Sequence, residues 1–324
     1  LMTAAEAEWL DEKSHESIPA QFTSPAHAWN ADRIRKYLKT FPPSSKEMKS
    51  VQFHAENVHD FAWFADKRYV VRQSEFHPAT GSQPVKTMAL FLPVHAGVWN
   101  DAATCIDSAL AFYSSRVGDY PYPQATAVDG ALGAGGGMEY PMITVISGAS
   151  APEELDGIIA HEVGHNWFYG ILGINERDHP WMDEGINSWF EYRYMKQRYP
   201  LKKLLPEELH AITNIFDLGY DYAYQNYLFY LYFAAMRMDQ PLDLSATAYT
   251  EMKYAAMIYG KTPLALDYLS WYLGEDVLDS LMRGFFDAWK FRHPRPEDFR
   301  TYFTASNHKE LDWFFDQLLQ TTDY

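Results

Sequence analysis

The chain has 324 residues, of which 47% are hydrophobic, so it is long enough to fill one large core or two lobes. Its 43 acidic and 27 basic residues give a formal net charge of -16 at pH 7, which argues against nucleic acid or an anionic membrane surface as the main partner. Cys105 is the only cysteine, so an internal disulfide is excluded. Peptides and small molecules are the partner classes that remain.

The N-terminal part of the sequence is polar. Residues 1–50 read as an extension that ends near the turn-rich stretch FPPSS at 41–45. The first residues are acidic and lack the basic and apolar regions of a signal peptide. The least polar long stretch, Tyr222–Met236, is too short and too rich in Tyr, Gln and Asn to cross a bilayer, so it predicts a buried amphipathic helix and no transmembrane segment.

The next part of the chain carries strand signals. Runs of β-branched and aromatic residues between turn signals predict a small sheet over Val51–Pro93, in VQFHA, FAWFA, RYVVRQ and TMALFLP. A helix is predicted over Asn100–Val117. The extended stretches TAVDGAL and MITVIS flank the glycine run GAGGGMEYP at 133–141, which places the glycines at or beside a sheet edge. From Pro152 onward helical patterning dominates.

The glycine run could be a flexible loop, a phosphate cradle or a ledge for a bound peptide. The two common phosphate-binding patterns do not fit, because Met138 stands where a glycine is required. A peptide ledge and a flexible loop remain.

The stretch DGIIAHEVGHNWFYG contains an HExxH motif. His161 and His165 are four residues apart, which on a helix puts both imidazoles on one face. Two neutral imidazoles are a good half-site for zinc, and Glu162 is placed to act on a water molecule beside the metal. The motif predicts a catalytic zinc site that needs a third protein ligand.

Two sources of that third ligand can be compared. The metzincin extension is excluded because it needs glycine and histidine where this chain has Phe168 and Ile171. A carboxylate from a following helix is available in HPWMDEGINSWFEYRYM, where Glu184 follows His165 after 18 intervening residues. Its neighbour Asp183 is better suited to support a ligand than to be one. We therefore predict one Zn²⁺ per chain, held by His161, His165 and Glu184.

These motifs resemble those of the aminopeptidase N family of gluzincin metallopeptidases, over about residues 50–324. The family shares HExxH-x18-E and a Gly-x-Met-Glu-Asn motif about twenty residues upstream, which here reads GGMEY with Tyr140 in place of asparagine. The resemblance implies that the glycine-run strand lines the substrate cleft and that its glutamate binds the free α-amino group. The implied substrate-binding residues are Gly136, Gly137, Met138 and Glu139.

The resemblance also implies a tyrosine that donates to the oxyanion, from a Tyr-x-Lys-Gly pattern. MKYAAMIYGKTPLALDYL matches this pattern at Tyr259 and Lys261, with Thr262 in place of the glycine. Tyr254, five residues earlier, is the alternative. The expected catalytic residues are thus Glu162, as the base, and Tyr259.

The fold implied is α+β, a thermolysin-like catalytic domain with a small mixed sheet lobe and a helical lobe. We expect residues 51–198 to form the sheet lobe with the zinc-binding helices, and residues 199–324 to form the helical lobe. The expected function is a zinc-dependent aminopeptidase acting on peptides with a free N-terminus. The alternatives are a gluzincin endopeptidase, which would accept blocked peptides, and a catalytically idle scaffold. The resemblance further suggests missing flanking domains and, from exported relatives, a periplasmic or extracellular location.

Overall fold

The computed structural model describes residues 4–18, 35, 37, 39–41, 43–48, 50–133, 135–200, 202–203, 219–220 and 222–322. The chain divides into two compact units. The first comprises Leu1–Ala111 and Pro121–Val163, and the second comprises Phe112–Tyr120 and Gly164–Tyr324. Residues 19–34 of the predicted extension and 204–218 of the predicted helical lobe lie outside the described residues.

The first unit contains a mixed sheet of five strands in the order β1-β2-β3-β5-β4. The pairs β2/β3 and β3/β5 are parallel, whereas β1/β2 and β4/β5 are antiparallel. This arrangement confirms the predicted small mixed sheet and puts the glycine run in an edge strand. The strands are β1 Val70–Phe76, β2 Val85–Phe91, β3 Gln124–Asp129, β4 Gly136–Tyr140 and β5 Ile143–Ser147.

The burial pattern of each strand follows from its place in the sheet. In β2 every second residue is buried, as expected for a strand with one face on the core. In β3 all residues except Gln124 are buried, which is typical of a strand covered on both faces between parallel neighbours. Small residues such as Ala125 and Ala127 allow that close covering.

The strands predicted in VQFHA and FAWFA are absent, and those two predictions were wrong. Residues 51–65 are described without any strand, and Val51, Phe53, Phe61 and Trp63 are between 60% and 84% exposed. An alternating pattern forms a strand only where a neighbouring strand accepts its hydrogen bonds and a core covers one face. Neither condition is met along this segment.

In the continuously described parts of the first unit, four α-helices begin: α1 Ala4–Ser14, the short α2 Ala96–Trp99, α3 Ala102–Arg116 and α4 Pro152–His165. Helix α3 confirms the prediction over 100–117. Helix α1 packs against β1, where the Arg72 guanidinium donates to the Ser14 carbonyl at 3.1 Å and the Gln73 amide donates to Asp11 at 2.9 Å. Both α3 and α4 end in the second unit.

The second unit is predominantly helical where it is described, as predicted. Its α-helices are α5 Ile186–Arg198, α6 Tyr224–Ala235, α7 Glu251–Ala256, α8 Thr262–Leu273, α9 Glu275–Trp289 and α10 Pro296–Ser306. The described residues of this unit also contain four π-helical segments. Asn166–Ile171 and Trp181–Gly185 precede α5, Met257–Lys261 joins α7 to α8, and Trp313–Leu318 follows α10. A short antiparallel pair joins β6 Lys202–Lys203 to β7 Gly219–Tyr220.

Aromatic side chains form much of the core of the second unit. Trp167, Trp181 and Trp189 are at most 1% exposed, and the rings of Phe299 and Phe303 stack with centroids 4.0 Å apart. Helix α6 confirms the helix predicted over 222–236, but only Tyr230 and Phe233 of that helix are fully buried. Among the described residues, no helix has both the length and the apolar character needed to cross a membrane.

Candidate active site

Helix α4 presents the two histidines of the HExxH motif. Glu153 and Glu154 lie in its first turn, where the helix dipole interacts favourably with carboxylates. Its inner face is fixed by buried Ile159, and His161 and His165 are one turn apart near the C-terminal end. The helix therefore fixes the relative position of the two imidazoles.

Glu184 approaches the second of these histidines from the π-helical segment Trp181–Gly185. Its Oε2 lies 3.2 Å from His165 Nε2. An imidazole lone pair and a carboxylate oxygen at this distance are stabilised when they share a cation. The donor set of two imidazoles and one carboxylate fits zinc, with a coordination position left for water.

Asp183 orients His165. Asp183 Oδ1 lies 2.7 Å from His165 Nδ1, and the two side chains are 0% and 1% exposed. A carboxylate can only accept here, so Nδ1 donates and Nε2 keeps its lone pair toward Glu184. This carboxylate–histidine pairing is the usual support of a metal-binding imidazole. The expectation that Asp183 supports a ligand agrees with this contact.

Glu162 is held against strand β4. It is 4% exposed, and the Thr144 hydroxyl lies 3.3 Å from its Oε2 and 2.9 Å from the Met138 carbonyl oxygen. A Cβ atom placed on Gly137 would lie 2.1 Å from Glu162 Oε1 and 2.3 Å from its Cδ. Glycine is therefore required at 137 because the carboxylate of Glu162 occupies the space of a side chain.

Glu139 lies on the same edge strand, paired in register with Thr144 of β5. It is 5% exposed, yet none of the described residues donates a hydrogen bond to its carboxylate. Buried polar groups are normally hydrogen-bonded, and a buried carboxylate without a donor is costly. The carboxylate of Glu139 is thus available to a cationic ligand. On the same strand, Gly136 has φ of +76° and Met138 is half-buried.

Tyr259 lies in the π-helical segment Met257–Lys261 of the second unit. The hydroxyl of Tyr192 donates to its backbone carbonyl at 2.8 Å, and the amide of Asn226 donates to the Tyr192 hydroxyl at 2.5 Å. The ring of Tyr254 contacts that of Tyr259, with centroids 5.9 Å apart. The backbone of Tyr259 is therefore fixed by a buried side chain of α5.

Lys261 anchors the other end of this segment. It is 2% exposed, and its Nζ donates to the carbonyls of Gln240 at 3.2 Å and Thr321 at 3.0 Å. Burial lowers the pKa of Lys261 to about 8. The negative charge of Asp239 partly offsets this lowering.

Three residues near these groups were not singled out from the sequence: Thr144, Tyr192 and Asn226. Thr144 could have been noticed, because it is a polar residue in the apolar strand stretch MITVIS. For Tyr192 and Asn226 no local signal exists, since the contacts join residues that are 67 and 34 positions apart in the chain.

Comparison with known proteins gives a consistent set of relatives. Aminopeptidase M1-A of Oryza sativa subsp. japonica is 21% identical over 154 residues, which cover 47% of this chain and 16% of the relative. Aminopeptidase N of Oryctolagus cuniculus is 22% identical over 154 residues, which cover 46% of this chain and 14% of the relative. The chain thus matches less than a fifth of the length of these curated relatives.

Among solved structures, an M1 zinc metallopeptidase from Deinococcus radiodurans matches with a TM-score of 0.56 at 15% identity, covering 79% of this chain and 53% of that one. At this identity the likeness shows the fold. The model of the Peptidase family M1 domain matches residues 111–318, well over half of the chain. The chain belongs to peptidase family M1.

Proposed function

We propose that this chain carries the catalytic part of a zinc-dependent aminopeptidase, which removes N-terminal residues from peptides. The observation that carries the proposal is the HExxH motif on α4, with Glu184 Oε2 3.2 Å from Nε2 of its second histidine, His165. It is supported by membership of peptidase family M1 and by relatives named as aminopeptidases. A mutant of the Deinococcus metallopeptidase was solved with a Tyr-Ser-Ala substrate, which is consistent with a peptide ligand.

We assign one zinc ion per chain to His161, His165 and Glu184. When bound there, zinc supplies Lewis acidity, which polarises a carbonyl oxygen and lowers the pKa of a water molecule in its open position toward roughly 7. Asp183 keeps the His165 imidazole in the tautomer and orientation that ligation requires.

Glu162 is assigned as the general base. It is next to a ligand in sequence but is not needed as a ligand itself, so its carboxylate can accept a proton from the attacking water and pass it to the leaving amine. Thr144 and Gly137 fix its carboxyl group from two sides. Burial excludes bulk water from most of the side chain.

Glu139 is assigned as the anchor of the substrate's α-ammonium group. A buried carboxylate without a donor among the described residues matches a charged amine in both charge and hydrogen-bonding capacity. Because β4 is an edge strand of the sheet, an extended peptide can pair alongside it, near Gly136, Gly137 and Met138. A fixed carboxylate on that strand would set the register of a peptide from its N-terminus.

Tyr259 is assigned as the donor to the oxyanion. Its hydroxyl would donate where negative charge develops on the scissile carbonyl oxygen. The bond from Tyr192 to its carbonyl and the anchoring of Lys261 hold the backbone of the segment that carries it. Such pre-organisation is what an oxyanion donor needs.

The test is a paired assay of an aminoacyl p-nitroanilide and its N-acetylated form, with and without a zinc chelator. We expect hydrolysis of the free substrate only, loss of activity with chelator, and recovery on adding zinc. Glu162→Gln should keep the zinc and lose activity by orders of magnitude, since it removes the base and no ligand. Equal hydrolysis of the acetylated substrate would favour an endopeptidase, and zinc binding without turnover would favour an idle scaffold.

A further inference from the structure

A cavity lies entirely within the second unit. Its volume is about 280 Å³, near the lower end of the roughly 300–1,000 Å³ of small-molecule pockets. Its floor is formed by side chains that are at most 5% exposed, from Trp189, Tyr192 and Ala223. None of the residues that line it belongs to the zinc-ligand set. The cavity therefore has a rigid, mainly apolar base with room for a small ligand.

The positive side of the cavity is set by Arg116, the last residue of α3. Its guanidinium stacks on Phe112 at 4.4 Å and donates to the Gln197 side chain at 3.3 Å. Among the described residues no carboxylate pairs with it, because Glu275 and Asp279 are both bound to Arg193. Burial and the charge of Arg193 lower the pKa of Arg116, and the charges of Asp279 and Glu275 partly offset this lowering.

The negative side is set by Asp267 of α8. Its carboxylate accepts from the indole of Trp189 at 2.8 Å and from the hydroxyl of Tyr227 at 2.7 Å. Both donors are neutral, and no described Lys, Arg or His pairs with this carboxylate. A carboxylate has about four acceptor sites, so at least one remains for a cation. Asp267 is thus held in place with its charge uncompensated.

Helix α5 sets the spacing of these two charges. Asp267 is bonded to Trp189, and Arg116 is bonded to Gln197, eight residues further along the same helix. Eight residues at 1.5 Å each correspond to about 12 Å along the axis. Extended chain covers about 3.3–3.6 Å per residue, so two or three residues span such a distance. Asp267 would repel a simple anion and Arg116 would repel a simple cation. Ligands that carry only one charge are therefore disfavoured.

From this placement we propose that the cavity binds a short peptide with both termini free, its ammonium at Asp267 and its carboxylate at Arg116. Lys196 lines the cavity and adds positive charge at the carboxylate end. The aromatic floor supports the atoms between the two charges. The site does not depend on the zinc chemistry, since it uses neither the ligands nor Glu162.

Zwitterions that the proposed enzyme cannot hydrolyse provide the test. Calorimetric titration of the full chain would use the zwitterions 8-aminooctanoate, 6-aminohexanoate and glycine. Hexanoate and hexylamine, which carry one charge each, serve as controls. We expect the long ω-amino acids to bind. Glycine, hexanoate and hexylamine should bind at least about tenfold more weakly, because glycine is too short to reach both charges and the other two each lack one charge. Triglycine, titrated into the Glu162→Gln variant, should compete with 8-aminooctanoate. Equal binding of hexanoate, or no binding of any probe, would overturn the proposal.

Variants locate the binding. Arg116→Gln and Asp267→Asn should each weaken 8-aminooctanoate at least about tenfold, whereas Arg116→Lys should retain most of the affinity. Arg177→Gln is the matched control, because Arg177 is 86% exposed and does not line the cavity. Melting curves check that each variant is folded. Affinity that is unchanged in Asp267→Asn, or lost equally in Arg177→Gln, would refute the assignment.

Discussion

Gly137→Ala is the substitution that most directly tests the link between the glycine run and the proposed base. The added Cβ would lie 2.1 Å from Oε1 of Glu162, 2.3 Å from Cδ and 2.6 Å from Cγ. An ordinary contact needs about 3.4 Å, so the carboxyl group has to move by roughly 1.3 Å. Glu162 is flexible enough to rotate away, but it then leaves the Thr144 hydroxyl.

The size of the effect follows from that displacement. A misplacement of about 1 Å of a catalytic group can cost about 100-fold in rate, which corresponds to about 2.7 kcal/mol in the barrier. Because the side chain can rotate, the fold should tolerate the change. We therefore expect kcat/KM to fall about 100-fold while the melting temperature changes little and the zinc content stays the same.

The assay is hydrolysis of an aminoacyl p-nitroanilide, together with metal analysis and a thermal melt. Gly133→Ala is the matched control from the same glycine run, because a Cβ there meets nothing within 4 Å and its φ is not positive. It should behave like the parent. If Gly137→Ala kept parental kcat/KM, or if Gly133→Ala lost as much activity, the seating of Glu162 against β4 would not be what requires the glycine.

The other predictions concern metal, oxyanion, amine anchor and buried charge. Glu184→Ala should lose zinc at sub-stoichiometric supply, and full occupancy by metal analysis would contradict its role. Tyr259→Phe should lower kcat with little change in KM, by about 3 kcal/mol in the barrier, and Tyr254→Phe should not. Glu139→Ala should lower kcat/KM for free substrates relative to acetylated ones, because it removes a charge-assisted contact worth about 1.5–3 kcal/mol. The melting temperature should not fall, and an unchanged ratio of the two kcat/KM values would argue against an anchor. Burial lowers the pKa of Lys261 to about 8 from 10.5, so between these values the unfolded chain keeps a proton that the folded protein has lost, and stability should rise with pH. Urea titrations should show that the free energy of unfolding rises by about 3 kcal/mol more between pH 8 and pH 10.5 in the parent protein than in Lys261→Met. An equal change in the two proteins would show that the amine stays charged.

The sequence predicted the elements whose signals are local. Helix α4, the edge position of the glycine run and the helical character of the chain from Pro152 onward followed from spacing, turn residues and period. The strands predicted in 51–65 failed because pairing depends on a neighbour that the local pattern does not reveal. The proposed ligand set could be read from the sequence because HExxH and Glu184 lie within one short stretch of chain.

Contacts between distant residues could not be read from the sequence. The hydroxyl of Tyr192 reaches the carbonyl of Tyr259 across 67 positions, and 23 tyrosines gave no reason to choose it. The requirement for glycine at 137 has a similar origin, since it depends on the rotamer of Glu162 on another element. A glycine run shows that space is needed, and only the fold shows which atoms use it.

The π-helical segment before α5 determines the direction in which Glu184, the proposed third ligand, points. The N–H of Ile186 donates to the carbonyl of Trp181, five residues back, so the turn holds one residue more than an α-helical turn. Removing a residue from 181–183 would restore the regular turn and rotate the chain before the deletion by about 100° relative to Glu184 and α5. The carboxylate would then no longer face His165, although every ligand would still be present in the sequence. The proposed metal site therefore depends on the number of residues in this turn as well as on their identity, and a single deletion within the turn would abolish it.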